Sequence, residues 1–433
     1  MDGNKMVTNL KRLSNIKTIK DVTQLTYALF PGAHCPLMGA ALAVRGIEDA
    51  MIMVIGTDEC AYYTKSLTMT EAFGGVKGRC VSTILETYDV TFGSVEKVER
   101  AFDEMVKEYQ PGCVFLVTTC VVEIIGDDMD ALASALTEKH GIPTYAVHTE
   151  HFKCEDHIPG VERTITACIE LMEEQPITES VNILGQRLGK FVDTEVYTIL
   201  KEQGVEIGMM LPSGCTVEEI KQAPRAKVNI VVNDTALTLA KKMKRQFGTP
   251  YVVFDKYVAP DRIYKAYQTL FDHLEIAMPK SLEIKYEETT KMMESYSQVL
   301  EGATYIYGNT PFMPYEFNLF MMKLGMKAEL IQMSRYKEED KRFVQEMLEL
   351  QNPYVTKSAN IAPLQYVYDV LQPDLYLGHE YAMRLRKKGI ALVRSDKAWE
   401  MLGFELTTFI LEQLKESYEA SKGYKEALVN GTM

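Results

Sequence analysis

The 433-residue chain lacks the nucleotide-binding signatures that its size would allow. Gly74-Gly75-Val76-Lys77-Gly78-Arg79 is rich in glycine but does not have the Gly-x-x-x-x-Gly-Lys-Ser/Thr spacing that cradles phosphates, and it reads as a loop. No Gly-x-Gly-x-x-Gly follows an apolar strand, so no bound dinucleotide is expected. If the protein uses ATP or NADH, a partner supplies it. Long apolar runs are also missing. The strongest, Ala50-Met51-Ile52-Met53-Val54-Ile55, has the length of a strand, not of a membrane span. Met1 to Lys20 is polar and mixed in charge, unlike a secretory signal, and a cytoplasmic protein is expected. Positive charge is in deficit. With 47 Lys and Arg against 60 Asp and Glu, the net charge of −13 argues against nucleic acid or an anionic membrane as a partner.

The composition is that of an ordinary globular protein, 46% hydrophobic and 25% charged. A chain of this length exceeds one compact core and predicts two or three domains. Its eight cysteines, in a cytoplasmic setting, read as thiols or metal ligands before disulfides.

Strand and helix patterns alternate, which predicts an α/β fold of three doubly wound, Rossmann-like units with parallel sheets. The first unit, residues 1–178, holds strands over 51–56, 113–118 and 143–148. Its helices are a Ser94-capped one to Tyr109, one opened by Gly126-Asp127-Asp128, and one over 161–174. The second, 179–300, holds strands at 180–185, 205–208, 228–233 and 250–254, followed by a continuous helical stretch over 262–300. The third, 301–433, holds strands near 303–309, 327–332, 374–378 and 390–393 and a helix from Leu402 onward. The units are alike in kind, strand–Gly–helix, without a repeated sequence of fixed period.

Three cysteines occur in short motifs at turns. Cys35 lies in Pro31-Gly32-Ala33-His34-Cys35-Pro36-Leu37, Cys60 in Gly56-Thr57-Asp58-Glu59-Cys60-Ala61-Tyr62, and Cys120 in Thr118-Thr119-Cys120-Val121-Val122-Glu123. Cys35 and Cys120 stand where a strand or loop meets a helix, and helix N-terminal N–H groups favour a thiolate. Three thiolates from separate turns can bind the edge of an iron–sulfur cluster.

These motifs also carry a resemblance. Cys35-Pro-Leu-Met-Gly-Ala-Ala-Leu-Ala-Val-Arg-Gly-Ile-Glu48, the series Gly56-x-x-x-Cys60-x-x-Tyr63-x-x-Ser66-Leu67-Thr68, and Thr118-Thr-Cys120-Val-Val-Glu-Ile-Ile-Gly126-Asp-Asp128 resemble the cysteine motifs of nitrogenase component 1 subunits. They are most like the β subunit of the molybdenum–iron protein and its scaffold relatives. Pro212-Ser-Gly-Cys-Thr-Val-Glu-Glu-Ile-Lys-Gln-Ala223-Pro224-Arg-Ala226 and Asp374-Leu-Tyr-Leu-Gly378-His379 extend the likeness through the later units.

The resemblance implies that Cys35, Cys60 and Cys120 ligate a 4Fe-4S cluster or an 8Fe-7S cluster of the P-cluster kind at a subunit interface, and that a further metal cofactor could be present. It implies two partners: an ATP-hydrolysing iron protein, and a second component 1 subunit or a copy of this chain. The chain would then be an iron–sulfur subunit of an oxygen-sensitive, nitrogenase-like oxidoreductase that receives electrons for a low-potential reduction. The alternative is a non-catalytic scaffold for assembly of a nitrogenase-type metal cofactor. The departures matter here. At the two positions where the family's α subunit holds its cofactor with a cysteine and a histidine, this chain has Asn233 and, near the other, Asp396.

The remaining candidates have plainer readings. His148, His151, Cys154 and His157 match no common zinc spacing and read as a cleft-lining loop. Cys215 sits in a Pro-x-Gly turn and reads as packing, as do Tyr62 and Tyr63. Asp58, Glu59 and His34 read as solvated, although a carboxylate beside Cys60 could supply a missing cluster ligand.

Overall fold

The computed structural model describes residues 2–26, 34–68, 79–154, 156–308, 310, 312–358 and 361–431, with only the backbone described over 65–68. A short helix (Gly3–Thr8) and strand β1 (Lys11–Arg12) begin the chain. Three sheets follow. The first contains β2 (Ala50–Gly56), β3 (Cys80–Ile84), β4 (Cys113–Thr118) and β5 (Thr144–Val147) in the order β3-β2-β4-β5. The second contains β6 (Val181–Leu184), β7 (Ile207–Leu211), β8 (Val228–Val231) and β9 (Tyr251–Val253) in the order β7-β6-β8-β9. The third contains β10 (Thr304–Tyr307), β11 (Lys327–Met333), β12 (Tyr354–Lys357), β13 (Leu375–Leu377) and β14 (Ala391–Val393) in the order β12-β11-β10-β13-β14. All pairings among β2–β14 are parallel; only β1 joins antiparallel, on the β12 edge.

Parallel strands must be covered on both faces, because their crossover helices lie on both. Strand β2 shows this. Ile52 and Val54 face one apolar core, while Met51, Met53 and Ile55 face another. The first of these cores is shared between sheets, since Leu184, Met209 and Leu211 of the second sheet also belong to it.

Among the parallel strands of each sheet the first lies inside the order, so the chain leaves it to one side and later crosses to the other. These switch points fall between β2 and β4, β6 and β8, and β10 and β13. Crevices open there at the carboxyl ends of strands. A glycine ends or follows the first strand at each. A methyl on Gly56 would lie 2.2 Å from Thr119 Oγ1, one on Gly185 3.0 Å from Asn233 Cβ, and one on Gly308 2.6 Å from the Tyr376 hydroxyl.

Several expectations require correction. The helical stretch over 262–300 is two helices, Pro260–Leu274 and Lys280–Leu300, broken where Glu275 turns left-handed (φ 58°) before Pro279. The helix expected over 161–174 runs from Ile158 to Ala167 and tightens into a 3₁₀ turn, Cys168–Leu171. Residues 3–12, assigned to the first unit, pack against the third: β1 pairs with β12, and the helix Gly3–Thr8 lies on the helix Ile361–Leu371. Strands β1, β3 and β12 were not expected. Of the Gly74–Arg79 segment only Arg79 is among the described residues, and its guanidinium donates to the carbonyls of Arg45, Ile47 and Ala50. Among the described residues no helix is long and apolar enough to cross a membrane.

A close backbone approach joins the helices Pro36–Arg45 and Ile158–Ala167. A methyl on Gly39 would stand 1.9 Å from the His157 carbonyl oxygen, and one on Gly160 1.8 Å from that of Pro36. Neither obstacle is a flexible side-chain end. Gly39→Ala is therefore expected to destabilise the protein by about 3 kcal/mol. Gly423→Ala, on an exposed helical face with open space around it, should stabilise by about 0.5–1 kcal/mol. Chemical denaturation of both variants checks the pair.

Candidate functional site

Cys35, Cys60 and Cys120 all stand at helix N-termini. Cys35 is the N-cap of Pro36–Arg45, whose N1 proline needs no hydrogen-bond partner. Cys60 is in the first turn of Asp58–Thr68, after β2, and Cys120 opens Cys120–Ile125, after β4. The latter two therefore flank the switch point of the first sheet. The helix bearing Cys35 leads into β2, so its N-terminus lies at the same edge.

The thiols interact. Burial, as the main cause, raises the Cys35 thiol, and charge on Cys60 and on Cys120 raises it further, while the N–H groups of Met38 and Leu37 oppose the rise. A bound cation would reverse the two repulsive effects. The His151 N–H donates to Cys120 Sγ at 3.3 Å, the kind of contact that steadies a ligating sulfur. Tyr63 packs at this end too. Burial and the Cys35 charge push its hydroxyl up to about 12, and it lies 2.6 Å from His34 Nδ1. Among the described residues no three Cys, His, Asp or Glu side chains are close enough to share a single metal ion. A cluster asks for less, because each thiolate binds a different iron and the sulfurs stand farther apart. The donor set, three partly exposed thiols on helix N-termini, fits such a group.

The other cysteines differ. Burial pushes Cys80 up to about 11 and Cys113 up to about 12, and raises Cys168 and Cys215 well above the ordinary thiol range. Cys215 is buried against Gly46, its N–H donating to the Gly46 carbonyl at 3.1 Å. The four residues of the histidine-rich segment turn to different partners. His148 Nδ1 is 2.7 Å from Glu123 and its Nε2 3.0 Å from Asp130. His151 is exposed, Cys154 faces Arg163 at 3.9 Å, and His157 meets Arg187. Ser94 is at the expected N-cap position but caps nothing; its N–H and hydroxyl both donate to Asp127 at 2.7 Å.

A second group of residues, of which the sequence reading singled out only Asn233 and His157, gathers where the second and third sheets meet the loop after β5. Arg187 follows β6, and Asn233 and Asp234 follow β8. Asp255 and Lys256 follow β9, Arg335 and Lys337 follow β11, and Asp156 and His157 come from the first unit. Burial first, and Arg187 second, push the His157 imidazole down to about 4, so it is neutral and can accept from Arg187 Nη1 at 3.4 Å. Burial pushes Asp255 up to about 7 and Lys256 down to about 8, and the Lys256 ammonium donates to the carbonyls of Trp399 and Met401. The Asn233 side-chain oxygen is committed to its own turn: Oδ1 accepts from the Thr235 hydroxyl at 2.7 Å and the Thr235 N–H at 3.3 Å. Asp396 is exposed at the start of a 3₁₀ turn, Asp396–Glu400. The available signal was the strand–Gly pattern, which marks switch points before any residue is known to be buried there.

This architecture, three parallel sheets with thiols at the first switch point, is that of a known class. The family model for nitrogenase component 1 type oxidoreductases matches residues 35–398, and the chain belongs to that family. The nitrogenase iron-molybdenum cofactor biosynthesis protein NifE of Clostridium pasteurianum is 28% identical over 74% of each chain. The nitrogenase molybdenum-iron protein alpha chain of Methanosarcina barkeri is also 28% identical, over 68% of this chain and 58% of its own. A solved structure titled nitrogenase Cp1 at pH 6.5 superposes with a TM-score of 0.77 at 16% identity, covering 94% of this chain and 96% of the other. The last comparison establishes the fold.

The His148 contacts give a pH prediction. Burial alone would lower its value from the ordinary 6.5, but the bonds to Glu123 and Asp130 outweigh that and raise it. A raised histidine stabilises fully below its unfolded value, and that contribution is lost as pH rises through the folded value. Thermal unfolding should show His148→Gln costing more near about pH 6 than near about pH 9.

Proposed function

We propose that the chain is an assembly scaffold for a nitrogenase-type metal cofactor, with an iron–sulfur cluster held by Cys35, Cys60 and Cys120. What carries this reading is the set of NifE relatives, supported by the residues that the resemblance puts at, and near, the two cofactor-anchoring positions. Asn233 spends its side-chain oxygen on its own turn, and Asp396 is an exposed carboxylate. A site without thiolate and imidazole anchors suits cargo that must leave. The expectation that put an electron-receiving catalytic subunit first is thereby placed second. It retains the support of the alpha-chain relative and of the clustered thiols.

The cluster would supply one-electron chemistry, and the chain's own residues would set its surroundings: helix N-termini facing the sulfurs, the His151 N–H on Cys120, and Tyr63 against Cys35. Three thiolates leave a 4Fe-4S cluster short of a ligand. A second component 1 subunit or a copy of this chain would complete it. Exposed apolar side chains at this end support such a contact. Tyr62 follows Cys60, Ile124 follows Cys120, and Phe152 follows His151, while Tyr88 and Phe92 extend from a helix packed against Cys120–Ile125. An ATP-hydrolysing iron protein would be the electron source, in keeping with the missing phosphate loop.

Anaerobic reconstitution followed by iron and sulfide assay tests the cluster; the natural chain should bind both, and Cys35→Ala combined with Cys120→Ala should bind neither. Light scattering on the reconstituted protein should show a dimer or a two-plus-two assembly, with Tyr62→Ser and Ile124→Ser together shifting it toward monomer. Metal analysis before and after incubation with a cofactor-free component 1 acceptor separates the two functions. A scaffold transfers metal once. Repeated ATP-dependent substrate reduction with the metal retained would overturn the scaffold reading.

A further inference from the structure

The N–H that meets Cys120 does not come from the helix that Cys120 opens. Cys35 takes its N–H groups from its own helix, at Leu37 and Met38. Cys120 takes one from His151, in the loop after β5, at 3.3 Å. A donor on a separate loop stays on a sulfur only if something fixes that loop to the helix. Glu123, three residues after Cys120 on the same short helix, does this. Its Oε1 accepts from the Thr118 hydroxyl at the end of β4 and lies 2.7 Å from Nδ1 of His148, the first residue after β5. His151 is three residues further on. The contacts therefore close a ring that runs from Cys120 to Glu123, to His148, and back through the His151 N–H to Cys120 Sγ.

The ring is braced from outside. Asp130 lies 3.0 Å from His148 Nε2. Arg163 Nη1 donates to the His148 carbonyl at 2.5 Å and to Glu150 Oε2 at 2.8 Å. The Thr149 hydroxyl donates to the Thr118 carbonyl. The loop then tightens into the 3₁₀ turn His151–Lys153, and the N–H at the start of that turn is the one given to sulfur. The helix Cys120–Ile125 has only six residues before Gly126 ends it. A helix this short keeps its orientation through tertiary contacts and not through its own length.

We propose that Glu123 and His148 are positioning residues for Cys120: their contact holds the His151 N–H on Sγ and so sets the reduction potential of the iron bound there. This rests on the reading of Cys35, Cys60 and Cys120 as cluster ligands. Reduction adds negative charge to a cluster and its sulfurs. An N–H aimed at a sulfur stabilises that charge, so it favours the reduced form and moves the potential up. Neither side chain touches iron; both act through a backbone donor.

The test compares the natural chain with Glu123→Ala, His148→Ala and Glu123→Gln, all full length and kept anaerobic. In iron-free protein, amide hydrogen exchange of peptides over residues 150–153, read by mass spectrometry, should be about tenfold faster in both alanine variants. After reconstitution with iron and sulfide, redox titration followed by electron paramagnetic resonance should find their midpoint lowered, by about 59 mV for a tenfold weaker preference for the reduced form of a one-electron couple. Glu123→Gln keeps an amide oxygen in place to accept from Thr118 and His148, and should leave both readouts near natural. Arg163→Gln, milder because the arginine side chain is partly exposed, cuts the outer brace and should move both readouts the same way by less. Alanine variants that melt lower yet exchange or titrate as the natural chain does would overturn the proposal and leave the cluster reading standing. A natural chain that binds no iron would overturn both together.

Discussion

The crossing of the helices Pro36–Arg45 and Ile158–Ala167 is the contact on which both sites depend. Gly39 and Gly160 let each backbone approach the carbonyl at the start of the other helix, His157 and Pro36. Those starts are the functional ends. One bears His34 and Cys35; the other bears Asp156 and His157. Because interiors are close-packed, the helices cannot separate without opening the core shared by the first and second sheets. A single crossing therefore sets the thiol site and the charged junction at a fixed relation.

That relation has chemical content. From Cys35 outward, His34 contacts the Tyr63 hydroxyl, its ring lies 6.4 Å from that of His157, and His157 accepts from Arg187. The first switch point presents thiols, which suit soft metals. The second presents guanidiniums interleaved with carboxylates, Arg187 and Arg335 among Asp156, Asp234 and Asp255. The same topological device, a strand ending in glycine beside a second strand, builds both crevices, and the side chains that follow decide what each can hold. The family's fold is thus compatible with either catalysis or assembly. The distinction lies with residues such as Asn233, whose oxygen is committed to Thr235.

Much of the fold was legible in the sequence because parallel strands are buried on both faces and read as continuous apolar runs, as Met51–Ile55 and Val114–Val117 do. Strand β3 was not, since Cys80-Val-Ser-Thr-Ile mixes polarities and lies on the edge of its sheet. Strand β1 has two residues and exists only through pairing with Tyr354 and Val355, a contact that no local pattern can announce. The break at Glu275 left a signal, Pro279, which the amphipathic pattern on either side obscured.

The three cysteines could be picked out by sequence alone, because a thiol at the start of a helix depends on local chemistry: a proline at N1, a glycine or threonine turn, and the free N–H groups of the first turn. Their convergence could not, since it depends on which strands are neighbours. Arg187 is the opposite case. In Gly185-Gln186-Arg187 it looks like any loop arginine, and nothing nearby in the chain reveals a partner or the lack of one. Only the packing of three sheets buries its Nε and brings His157, Asp234 and Arg335 around it. Burial is a property of the assembled chain, and so is the electrostatic cost it puts on this arginine.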